Sequence, residues 1–141
     1  MEKSVVSIVK GKDPEAMVEQ ALDHLGGVRS FIEPRSTVVV KPNAGHEGAP
    51  DSSVNTSPGV VAAVINAVKK ADPAKIILAE ASAIGCDTMK CLEVSGIRKA
   101  ANCTSWPSRL PWNTTKSKRN STYSDTLVAQ AAMNAVTMCG A

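Results

Sequence analysis

The sequence predicts an α/β fold: a small parallel sheet of about three strands with helices on both faces, in the order βαβαβα, followed by an irregular or helical tail. Two observations carry this expectation. Short β-branched runs alternate with segments of helical periodicity through the first hundred residues, and the runs are uniformly apolar, as in strands covered on both faces. A third observation sets the tail apart: its composition changes abruptly after Ala101. The predicted division is therefore an α/β domain over residues 1–101 and an atypical tail over residues 102–141.

The first cycle opens with Ser4 to Val9, a β-branched run that stops at Lys10-Gly11. Asp13 then reads as an N-cap, with Pro14 at the first helical position and Glu15 in the first turn, which together satisfy and complement free helix amides. Val18, Ala21, Leu22 and Leu25 fall on one face of that helix, and Gly26 is its expected stop. The second cycle begins with Thr37 to Val40, too short and too apolar for a half-solvated strand, and so predicted to be central. Ser57-Pro58 repeats the cap-and-proline device, Val60, Val64 and Val68 supply the buried stripe, Lys69-Lys70 close the last turn, and Pro73 blocks continuation. The third strand is Lys75 to Leu78. Asp87 is placed to cap a helix running to about Ser95, which Gly96 interrupts before a further turn at Ile97 to Ala100.

The tail departs from this pattern. Fifteen of its forty residues are Ser, Thr or Asn, both tryptophans (Trp106, Trp112) and the one tyrosine (Tyr123) lie there, and glutamate is absent. Only residues 126–138 have helical periodicity, with Met133 and Met138 read as packing residues. The net charge of +3 arises entirely in the tail, because residues 1–101 hold twelve basic and twelve acidic side chains. Asn102, Asn113 and Asn120 begin glycosylation-like triplets, read as chance matches in a Ser/Thr-rich stretch. Arg109, Lys116, Lys118 and Arg119 near the tryptophans raise a nucleic-acid reading, which ranks below that of a soluble basic tail. Nucleic acid is accordingly not an expected partner.

A chain of 141 residues can bury a core without staples. It has no run of eighteen apolar residues and no basic-then-apolar leader, so neither a membrane partner nor export is expected, and the cytoplasm is the expected compartment. Cys86, Cys91, Cys103 and Cys139 contain no CxxC pair and read as reduced structural thiols. No metal site is expected: His46, Glu47 and Asp51 share a loop, but a solvated histidine accounts for that loop as well as a ligand does. His24 reads as a surface residue.

Open parallel sheets bind ligands outside the carboxyl ends of their strands, so the residues after each run are the candidates. They are Lys10, Lys41, Asn43 and Ser82 as ligand-binding groups and Glu80 as the catalytic candidate, joined by Thr56 and Ser57 at the amino end of the second helix, whose free amides favour an anion. Two ammonium groups, an amide, hydroxyls and a carboxylate suit a small phosphate or carboxylate ligand. Pro42 restricts the backbone of Lys41 and ends the strand there, which holds that lysine more firmly than a loose loop would. The competing reading is that Lys10, Lys41 and Glu80 are solvated strand-end residues that neutralise each other, beside a strand-terminating turn in which Asn43 bonds its own backbone. Gly11 and Gly45 through Gly48 do not complete a dinucleotide fingerprint or a P-loop.

Val38-Val39-Val40-Lys41-Pro42-Asn43, then a variable loop, then Asn55-Thr56-Ser57-Pro58-Gly59-Val60-Val61, then Lys75-Ile76-Ile77-Leu78-Ala79-Glu80-Ala81-Ser82, resemble the amino-terminal part of the family called domain of unknown function 362. The resemblance spans about residues 4 to 101 and places Lys41, Pro42, Asn43, Thr56 to Pro58 and Glu80 at motif positions. Some members carry a ferredoxin-like iron–sulfur segment, which implies a redox-associated role. This chain has no CxxCxxCxxxCP run, so no iron–sulfur cofactor is carried over, and the cofactor stays unknown. Members are usually longer, and the resemblance fades where the composition changes, which leads to the expectation that the tail is not the native continuation. Two functions are therefore in view: a redox-associated domain binding a small anion, or a truncated, non-catalytic α/β fragment whose main property is self-association, so that a homo-oligomer is expected.

Overall fold

The computed structural model describes residues 5–50 and 52–101, together with the strand at residues 126–128. The elements in chain order are α1 (Pro14–Asp23), β1 (Thr37–Val40), α2 (Pro58–Lys69), β2 (Lys75–Leu78), α3 (Thr88–Val94), α4 (Ile97–Ala101) and β3 (Thr126–Val128). The fold is α/β with a small parallel sheet. Its strand order is β2-β1-β3, with Val38 opposite Ile76 and Leu127.

Two of the three expected side-chain caps form, at Asp13 and Asp87, and Ser57 makes none. Asp13 is extended, and its carboxylate accepts the Glu15 amide at 3.1 Å; Asp87 likewise accepts the Lys90 amide at 3.0 Å. Beyond α1 the chain turns through Gly26 and Gly27, both at positive φ, and the Gly27 amide returns to the Leu22 carbonyl at 2.8 Å. A single 3-10 turn, Val28–Ser30, then carries Arg29 across to the end of α2, where its guanidinium donates to the Lys70 carbonyl at 3.0 and 3.2 Å.

The core is aliphatic and lies between β1 and α2. Val38 and Val40 are 1% and 0% exposed, and they meet the Val60, Val61, Val64, Ile65 and Val68 side of α2, with Leu78, Leu92 and Ile97 closing the cluster. Burying a side chain such as Ile65 stabilises the fold by roughly 1.5–3 kcal/mol. The stripe expected on α2 is thus the stripe observed. On α1 only Val18 of the expected face is fully buried. Thr37 and Val39, on the other face of β1, are half-buried, so among the described residues the two sheet faces are unequally covered. No described helix is long and apolar enough to cross a membrane.

Two expectations are corrected. Residues Val5 to Val9 do not form a strand, and Val5, Val6 and Ile8 remain 74%, 73% and 77% exposed. The run is instead tied to α1, where the Ser7 hydroxyl lies 3.0 Å from His24 Nδ1. Strand propensity expresses itself only where a sheet edge and a covering surface are at hand. The described order is therefore αβαβααβ, not βαβαβα. The helix expected over residues 126–138 is also revised, because Thr126–Val128 pairs in parallel with β1. Its β-branched ends make it as suited to a strand as to a helical turn, and the open edge of β1 decides the outcome. Residues 129–138 lie outside the described residues.

Candidate functional site

β1 and β2 deliver their last residues to one sheet edge. The Ala79 amide bonds the Val40 carbonyl at 3.0 Å, which brings Lys41 and Glu80 side by side as the strands end. Pro42 is fully buried and fixes the direction in which the chain leaves β1. The Lys41 ammonium meets Glu80 Oε2 at 2.8 Å, while Glu80 Oε1 accepts the Ala81 amide, also at 2.8 Å. The Glu80 side chain is 3% exposed and that of Lys41 is 36% exposed. The carboxylate is thus occupied at both oxygens and shielded, and the lysine it holds keeps about a third of its side chain exposed.

Asn43 and Thr56 do something different. The Asn43 amide donates to Thr56 Oγ1 at 2.9 Å, the Thr56 amide donates to the Asn43 carbonyl at 2.8 Å, and Asn43 Nδ2 donates to the Val54 carbonyl at 3.1 Å. This reciprocal clamp closes the base of the long loop and holds the start of α2 beside the end of β1. Thr56 is 2% exposed, so its hydroxyl acts within the fold. Ser82 donates its hydroxyl to the Ala44 carbonyl at 2.6 Å, and its amide donates to Thr88 Oγ1 at 3.1 Å. Ser57 is exposed and makes no side-chain cap bond, so among the described residues the first turn of α2 has no side-chain acceptor. Lys10 is exposed and makes no ion pair with Glu80. Of the seven candidates, Lys41 and Glu80 are brought into contact, Asn43, Thr56 and Ser82 brace the surrounding backbone, Ser57 stands at the helix end, and Lys10 stays apart.

The loop after Asn43 is tightly packed on itself. Asn55, 4% exposed, bridges it by accepting the His46 amide at 3.4 Å and donating to the His46 carbonyl at 2.8 Å. A Cβ on Gly48 would stand 2.6 Å from the Ser52 hydroxyl and 3.3 Å from Asn55 Nδ2, so a larger residue there would require the Ser52 side chain to turn away. The loop also reaches α3: Glu47 pairs with Lys90 at 2.7 Å, and Cys86 Sγ lies 3.7 Å from His46 Nδ1. Glu47 raises the Lys90 ammonium above its ordinary range by hydrogen bond and charge. Burial pushes the Cys86 thiol up as well, and Cys91 and the Glu47 charge add to that effect. Among the described residues no three His, Cys, Asp or Glu side chains group closely enough to hold a metal ion.

Asn55, Thr88 and the contact of His46 with Cys86 were not singled out from sequence as structural partners. Asn55 stands immediately before the Thr56-Ser57-Pro58 motif, and Thr88 follows the Asp87 cap, so local signals existed. The His46 contact joins residues forty positions apart and leaves no local trace.

A family model described as Domain of unknown function (DUF362) matches residues 38–138. No curated protein and no solved structure shows a significant match. The match begins inside β1 and continues past Ala101 through most of the tail. The resemblance therefore does not end where the composition changes, and the expectation of a foreign tail gains no support from it. With Lys41, Asn43, the Thr56–Pro58 segment and Glu80 all inside the matched region, the chain belongs to the family described as Domain of unknown function (DUF362).

Proposed function

We propose that this chain binds a small anionic ligand, bearing phosphate or carboxylate, at the carboxyl ends of β1 and β2. The observation that carries this reading is the unequal exposure of the Lys41–Glu80 pair: a shielded carboxylate holds a lysine whose side chain is still partly exposed. A held cation loses less freedom on binding than a free surface lysine does, so it is the better anion receptor. The uncapped first turn of α2, kept near Lys41 by the Asn43–Thr56 clamp, adds amides of the favourable sign. Glu80 acts here as a positioning carboxylate. The redox-associated part of the proposal rests on the family resemblance.

Thermal unfolding with inorganic phosphate and with malonate tests this reading. The melting temperature of the parent should rise with ligand concentration, by an amount equivalent to about 2.7 kcal/mol at a hundred times Kd. Lys41→Met, which keeps the apolar stem and drops the charge, should fold and lose the response. No rise in the parent, or an equal rise in the variant, overturns the site.

A second reading, self-association, is favoured by the exposure of Val5, Val6 and Ile8, an apolar strand-forming run that the described sheet does not cover. It is compatible with ligand binding at the carboxyl ends of β1 and β2, and its test is given below.

A further inference from the structure

With Asp87 as the N-cap of α3, Cys86 occupies the position before the cap and Cys91 the fourth helical position. These are the two positions whose side chains meet across the first turn of a helix, where two apolar residues ordinarily make a hydrophobic staple. Here both are thiols. Cys91 is fully buried against the core, Cys86 is half-buried, and the His46 imidazole lies 3.7 Å from the Cys86 sulfur. Burial favours the protonated Cys86 thiol, so its oxidation needs the proton acceptor that His46 places beside it; with that base at hand and a second, sheltered thiol one helical turn on, the arrangement is suited to reversible oxidation.

We propose that Cys86 and Cys91 form a peroxide-responsive dithiol–disulfide site, with Cys86 as the thiol attacked first and Cys91 as the resolving thiol. In the first step His46 takes the Cys86 proton, and the sulfur attacks one peroxide oxygen. The O–O bond breaks, the departing hydroxide recovers the proton from His46 as water, and Cys86 becomes a sulfenic acid. In the second step the Cys91 sulfur attacks the Cys86 sulfur, the S–O bond breaks, and hydroxide leaves with the Cys91 proton as water. The two thiols give up two electrons and two protons, and hydrogen peroxide becomes two waters. A dithiol reductant reverses the change. The bond would withdraw Cys86 from His46 and replace a non-covalent staple at the start of α3 with a covalent one, next to the loop that closes on Asn43.

The site is separate from the anion-binding reading and is tested separately. The full chain carrying Cys103→Ser and Cys139→Ser is treated with stoichiometric hydrogen peroxide, and free thiols and intact mass are followed. Both thiols should disappear together, with loss of the mass of two hydrogen atoms, and return with dithiothreitol. With Cys91→Ser added, Cys86 should instead accumulate as a dimedone-reactive sulfenic acid. In the chain with all four cysteines, trypsin cleavage after Lys90 places Cys86 and Cys91 on different peptides, so a direct link is read from non-reducing digests whether or not the serine variants fold. Addition of oxygen to Cys86 without loss of Cys91, linkage between chains through Cys86, or survival of both thiols overturns the proposal.

Discussion

Lys41, Pro42 and Asn43 divide three tasks among three adjacent residues. Pro42 ends the strand, Asn43 anchors the loop base, and Lys41 is left to meet Glu80. That Lys41 and Glu80 share one sheet edge was legible from sequence, because they lie one and two residues beyond predicted parallel strands whose register brings those ends together. The duties of Asn43, Thr56 and Ser82 were not legible, since a polar residue near a strand end suits a ligand and an unpaired backbone group equally well. The pair predicts an asymmetry in stability. Lys41→Ala leaves a shielded carboxylate with one donor and should cost about 1–3 kcal/mol, whereas Glu80→Gln keeps an oxygen for the Ala81 amide and should cost about 1 kcal/mol. Equilibrium urea unfolding measures both. A Lys41→Ala variant as stable as the parent would contradict the role given to Glu80.

At the scale of elements, the helix boundaries were the most readable features and the first strand the least. Caps are local chemistry: Asp13, Ser57 and Asp87 each precede their helix by one residue, and proline or glycine marks the other limits. Gly96 separates α3 from α4 at φ +74, where a Cβ would also stand 3.4 Å from Pro50 and Pro58. A strand, by contrast, needs a partner, and Ser4 to Val9 resembles one as closely as Lys75 to Leu78 does. Only pairing with β1 separates the two runs. For α3 the account predicts that Asp87→Ala costs roughly 0.5–2 kcal/mol. Hydrogen exchange should show the Lys90 amide losing protection, while amides in the middle of α2 keep theirs. Unchanged Lys90 exchange would mean that the Asp87 cap contributes nothing.

The described part of the molecule is a sheet with β1 at its centre, helices packed with Val38 and Val40 in one core, and an apolar segment at residues 5–9 lying outside the sheet. Exposed apolar side chains on a run that pairs with no strand among the described residues favour association with another copy. Sedimentation equilibrium should therefore show average mass rising with concentration for the parent and staying monomeric for Val6→Lys/Ile8→Lys; a parent that stays monomeric would contradict this reading. The central claim concerns Lys41. Phosphate titration of the parent and Lys41→Met, side by side, tests it most directly, with melting temperature and the backbone amides of Ala81 and Val60 as readouts. Saturable shifts at those amides and a rise in melting temperature, both lost in Lys41→Met, are the predicted result, and identical behaviour of the two proteins would contradict it.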